Sequence, residues 1–70
     1  MDVKIQKDLG NNIKRVREKS NLTQAEVASI ARINGNYFAR IERGEINLSL
    51  QMIRKITKAL NIKSSEIMPF

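Results

Sequence analysis

Between Leu22 and Gly44 the chain reads Leu-Thr-Gln-Ala-Glu-Val-Ala-Ser-Ile-Ala-Arg-Ile-Asn-Gly-Asn-Tyr-Phe-Ala-Arg-Ile-Glu-Arg-Gly, and no other stretch restricts the fold as tightly. Thr23 is a good helix N-cap, and Glu26 follows at the third position, the spacing of a capping box. Leu22, just before the cap, is placed to pack on Val27 as a hydrophobic staple. Val27, Ala28 and Ala31 give this helix a small inward face, and Ala28 lets a second helix come close. Ile30 fits that face poorly and is expected to be partly exposed. Arg32-Ile33-Asn34 forms the turn, and Asn34 caps a further helix over about 35–43. Phe38 and Ile41, three apart, turn inward, which leaves Asn36, Tyr37, Ala39, Arg40 and Arg43 on the outside. Gly44 is a natural helix stop. The segment therefore encodes two short helices joined by a tight turn, the second with one apolar edge and one polar edge.

The flanks supply the helices that such a pair must pack against. A first helix is expected over about 5–19, with Leu9, Ile13 and Val16 on one face. Gly10 weakens it by about 1 kcal/mol relative to Ala, and Ser20-Asn21 ends it. After a loop in which Ile46 and Leu48 tuck under the core, Ser49 caps a helix over 50–60. Leu50, Ile53, Ile56 and Leu60 form its apolar stripe, and Asn61 follows as the stop. A short last helix is expected around 65–68, closed by Pro69. The fold class is all-α, in one small domain over 1–70 with the helix-turn-helix at about 24–43.

Composition excludes more than it selects. With no Cys and no His, the chain has no disulfide, no zinc-finger ligand set and none of the commonest catalytic groups at neutral pH. No metal or other cofactor is implied, no paired acids or phosphate-cradling loop stand out, and an enzyme is not expected. A chain this small buries only about 60% of its unfolded surface, too little for a core and a deep pocket together, so no small-molecule effector is evident. No apolar leader or membrane-length run occurs, and a cytoplasmic location is expected. The formal net charge is +6, which points to a polyanionic partner. Residues 1–20 carry six Lys/Arg against three acids, 21–50 three of each, and 51–70 four against one. The central segment is therefore neutral, and general phosphate attraction comes from the flanks.

These elements together, over residues 9–68, resemble the lambda-repressor-like helix-turn-helix family of phage repressors, Cro proteins and XRE-type regulators. The resemblance rests on Leu22-Thr23-Gln24, Val27-Ala28, Ile33-Asn34, Tyr37-Phe38, Ile41-Glu42-Arg43-Gly44 and Ala59-Leu60-Asn61-Ile62, in that order. It implies a compact five-helix bundle whose third helix, about 35–43, enters the major groove of double-stranded DNA. It also implies a sequence-specific transcriptional regulator, a repressor or controller protein, acting as a homodimer on a palindromic operator. The restriction-modification controllers suit a chain of this length. Two residues depart from the family pattern: Arg32 stands where Gly is usual, with a strain of roughly 1 kcal/mol if φ is positive there, and Leu48 stands where Pro is common.

Within that frame Asn36, Tyr37, Ala39 and Arg40 are the candidates for base contact. Arginine suits guanine O6 and N7, and asparagine suits adenine N6 and N7. Asn36 has local support of its own helix as an equal alternative. Gln24, Asn34 and Arg43 are the candidates for phosphate, although Asn34 serves first as a cap and Arg43 also suits a helix C-terminus without any ligand. The family pairs the acid at Glu42 with an arginine of the first helix, here Arg17. Ile67, Met68 and Phe70 are assigned to the dimer seam, against the simpler reading of a tail that caps its own core. The competing function is a protein-interaction module of the same fold that does not read DNA, favoured by the neutrality of 21–50.

Overall fold

The computed structural model describes residues 2–70. It contains four α-helices, α1 (Val3–Lys19), α2 (Gln24–Ala31), α3 (Gly35–Glu42) and α4 (Leu50–Leu60), and then one 3-10 turn, Ser64–Glu66. Each α-helix begins on a side chain that accepts from the backbone of its own first turn. Thr23 accepts from Glu26 N, Asn34 from Tyr37 N and Ser49 from Met52 N. Thr23 and Glu26 complete a reciprocal capping box. Such caps contribute about 1 kcal/mol each. At α1 the cap is Asp2, whose carboxylate accepts from Lys4 N at 2.7 Å and carries the helix start upstream of the expected residue 5.

The four helices also end alike. Asn21, Arg32, Gly44 and Asn61 take left-handed φ values of 57°, 59°, 76° and 57°. The N–H of each next residue, Leu22, Ile33, Glu45 or Ile62, donates back to the carbonyl of Arg17, Ala28, Arg40 or Thr57 at 3.3, 2.9, 3.0 and 3.0 Å. Each left-handed residue also donates its own N–H to the preceding turn, at Glu18, Ser29, Ile41 and Lys58. These are the paired bonds of the Schellman motif. Leu22, Ile33 and Ile62 then pack against the core, whereas Glu45 stays exposed.

Phe38, Leu9, Ile13, Ile41, Ile56, Ile67 and Val27 are the largest fully buried side chains. Burial of each such side chain contributes about 1.5–3 kcal/mol. α1 lies against α3, and α2 lies between α3 and α4. Ala28, on the inward face of α2, is buried. Gly10 has the same purpose in α1: a Cβ there would meet the carbonyl oxygens of Ile41 and Glu42 at 2.5 and 2.7 Å. The backbone of α1 thus rests directly on the end of α3, and the helix-weakening residue is what permits it.

Three expectations need correction. Leu50 is 83% exposed and is not part of the stripe of α4, because Leu48, two residues earlier, and Ile53 take the buried places at the start of the helix. The last helix is a single 3-10 turn ending at Glu66 rather than a helix at 65–68. Ile67 is wholly buried, and its carbonyl accepts from Asn12 Nδ2 at 2.8 Å. It closes the core of its own chain and cannot belong to a dimer seam; Met68 is half-buried and Phe70 is 86% exposed.

Candidate nucleic-acid interface

α3 owes its orientation to both of its faces. Phe38, Ile41 and Glu42 are buried, and Asn36, Arg40 and the following Arg43 are exposed. Tyr37 and Ala39 are half-buried at the boundary, with Tyr37 packed on the core. The sequence-derived set is therefore graded: Asn36 and Arg40 project most freely, and Tyr37 and Ala39 flank them. Asn34 commits its carbonyl oxygen to Tyr37 N at 3.1 Å, which leaves its amide N–H groups as donors. At Gly35 an added Cβ would meet nothing within 4 Å, so the start of α3 is open to close approach.

Behind this edge lies a buried charged network. Arg17 Nε donates to Glu42 Oε2 at 2.7 Å and Nη2 donates to Oε1 at 3.1 Å. Arg17 Nη1 donates to the Leu22 carbonyl at 2.8 Å. Gln24 Nε2 donates to Glu42 Oε1 at 2.8 Å. The side chains of Arg17 and Glu42 are only 11% and 2% exposed. The hydrogen bond that Arg17 donates to Glu42 raises the pKa of Arg17 against the opposing effect of burial. Among the described residues no buried side-chain N or O is left unpaired. The network ties α1, the α1–α2 junction, α2 and α3 together, and a fork-to-fork pair of this kind fixes angle as well as distance. Gln24, read from the sequence as a phosphate ligand, is therefore also part of the frame. One of its amide hydrogens is committed to Glu42, and the residue as a whole is half-buried.

The far end of α3 carries a residue the sequence reading passed over. Glu45 Oε1 accepts from Arg40 Nε at 3.3 Å, and Oε2 accepts from Arg43 Nε at 2.9 Å. The hydrogen bond from Arg43, followed by that from Arg40, holds the Glu45 carboxyl below its ordinary pKa, and Arg43 is raised in return. A signal was present: a Gly stop at 44 predicts a Schellman end, and that motif returns the residue after the glycine over Arg40.

On the flanking elements, Lys14, Lys19, Arg54, Lys55, Lys58 and Lys63 are exposed, and none joins an ion pair among the described residues. No cluster of metal-ligating side chains occurs among those residues, and no helix is long and apolar enough to cross a membrane.

A polar-edged helix locked behind a capped partner helix by a tight turn defines a class. Residues 13–67 match the family model described as Helix-turn-helix, and the chain belongs to that family, in its XRE-type branch. It is a sequence-specific DNA-binding transcriptional regulator. Its relatives narrow the class. The control protein C.BamHI of Bacillus amyloliquefaciens is 36% identical over 62 residues, spanning 87% of this chain and 76% of that protein. The control protein C.MunI of Mycoplasma sp is 37% identical over 67 residues, spanning 94% and 88%. The crystal structure of the restriction-modification controller protein C.AhdI from Aeromonas hydrophila superposes with a TM-score of 0.87 at 28% identity, covering 90% of this chain and 96% of that one.

Proposed function

We propose that this chain is a controller-type autoregulator that binds a palindromic operator as a homodimer, with α3 in the major groove. The observation that carries the reading is the division of α3: Phe38, Ile41 and Glu42 are locked inside, while Asn36 and Arg40 are exposed at the surface. Asn36 and Arg40 make the base contacts, with Tyr37 and Ala39 packing beside them. Gln24, Asn34 and Arg43 hold phosphates on either side, and the unpaired lysines add attraction that carries no sequence information. Relatives named as control proteins, matched over 76% and 88% of their own length, support the controller assignment. The dimer seam forms around Met68 and Phe70, since a large exposed apolar side chain at the end of the chain suits a second copy. The protein works in the cytoplasm, without an effector molecule, and responds to its own concentration.

Selection of bound duplexes from a random pool tests all of this together. The expected product is a palindrome whose half-sites lie about 10 bp apart. Log affinity should fall with log salt at a slope near −0.9 per contacted phosphate. Arg40→Ala should relax preference at one position in each half-site, at about 1–3 kcal/mol. Weak binding with a flat salt series would instead favour a protein-interaction module, and sedimentation as a monomer on DNA would remove the dimer.

A further inference from the structure

We propose that Glu45 is a specificity-determining residue: it restrains Arg40 and Arg43 in the free protein, so that a matching duplex releases them and a random one does so poorly. The inference rests on the reading of DNA by α3 given above.

Three observations carry it. First, one carboxylate spans both arginines, through Arg40 Nε at 3.3 Å, Arg43 Nε at 2.9 Å and Arg43 Nη2 at 3.4 Å. Second, the backbone fixes this placement. Gly44 is left-handed at φ 76°, and the Glu45 N–H is bonded to the Arg40 carbonyl at 3.0 Å, so the carboxylate is returned over the last turn of α3. Third, the residue type is out of keeping with its position. The equivalent sites after α1, α2 and α4 hold Leu22, Ile33 and Ile62, each packed on the core. That position favours an apolar contact with the preceding turn. At α3 alone it holds an exposed acid aimed at the two arginines of the reading edge.

The consequence follows from the weakness of exposed ion pairs, which open readily when a better partner is offered. A guanine edge for Arg40 together with a phosphate for Arg43 replaces both contacts at once. A random site offers phosphate but no matched base, and there the carboxylate continues to neutralise the arginines and repels the backbone. Glu45 therefore lowers random binding more than operator binding.

Glu45→Gln keeps the shape and removes the charge. Affinity should be measured against the selected operator and against a random duplex of equal length, over a range of salt. Random-duplex affinity should rise about fivefold at low salt, with a slope steeper by roughly 0.9 per phosphate gained. Operator affinity should rise by less, so the ratio of the two falls. Glu18→Gln makes the same change of charge on α1, where the acid faces neither arginine, and should leave the ratio unaltered. A Glu45→Gln ratio equal to that of the starting protein, or an equal loss of ratio in Glu18→Gln, overturns the proposal. So does a change confined to the melting temperature. If the starting protein itself shows no salt-dependent duplex binding, the DNA-reading assignment fails as well, and the two failures are told apart by that first measurement.

Discussion

The ends of α2 and α3 have the same hydrogen bonds and opposite chemistry. Each closes on a left-handed residue, Arg32 at φ 59° or Gly44 at φ 76°, with the next N–H returned to the preceding turn. After α2 the returning residue is Ile33, which joins the core. After α3 it is Glu45, which stays outside with two arginines. The left-handed residues differ too. Arg32 is exposed and accepts a strain that a glycine would not have, of about 1–2 kcal/mol. Gly44 is buried, and a Cβ there would meet Lys7 Cγ at 2.6 Å and Lys7 Cα at 2.7 Å. One end is a local device that tolerates a poor residue; the other is clamped from outside by α1. Backbone geometry alone would not distinguish them, and their neighbours do.

The largest test of that contrast lies at the last residue of α3. Glu42→Ala leaves Arg17 buried without its partner and should destabilise the fold by about 3–5 kcal/mol. In a chain of this size each kcal/mol moves the melting temperature by about 4–8 °C. DNA affinity should fall with it, because α3 loses its tie to α1. A variant that melts like the parent would mean that the end of α3 is as locally determined as that of α2. Next comes Gly44→Ala, for which a loss of about 2–3 kcal/mol is expected from left-handed strain and overlap with Lys7 together. The mirror experiment, Arg32→Gly, should raise stability by up to about 1 kcal/mol in urea unfolding. If both substitutions moved stability in the same direction, the distinction between the two ends would collapse.

The smallest effect is acidic. Glu26, in the cap of α2, is held below its ordinary pKa by the Thr23 N–H and then by the Thr23 side chain. Glu45 is held down by Arg43 and Arg40. Folded values below the unfolded ones mean that these contributions are complete above the ordinary carboxylate range. They are lost as the pH falls through the lowered values, below about pH 4.5. Melting temperatures should be flat near neutrality and drop in that acid window. Glu26→Gln keeps the capping acceptor and removes the titration, so its acid slope should be slightly shallower. An unchanged slope would mean that α2 is held by its packing and not by its cap.

What could be read beforehand was local. Thr23 with Glu26, and Asn34 and Ser49 as caps, depend on partners three residues away, and each start was found where expected. The family pattern has Gly at the place of Arg32, with strain expected if φ is positive there, and φ is 59°. What escaped depends on where the core stops and on what meets across it. Helical spacing places Leu50 on the same stripe as Ile53 but does not say that Leu48, from the preceding loop, is buried in its stead. An apolar Ile67 looks the same whether it closes its own chain or a neighbour's. Gln24 and Glu42 are 18 positions apart, and neither spacing nor residue type links them. Gly10 read only as a weak point in a helix, because the carbonyls that require it belong to α3.

That contact at Gly10 bears on how such a protein changes its target. Main chain rests on main chain, so α3 cannot tilt to suit a differently shaped groove without dislodging α1. In the mode of binding proposed above, a new operator is met by exchanging the exposed side chains at 36 and 40 on a frame that stays put. On that proposal the support of α3 and the side chains it presents can be changed independently.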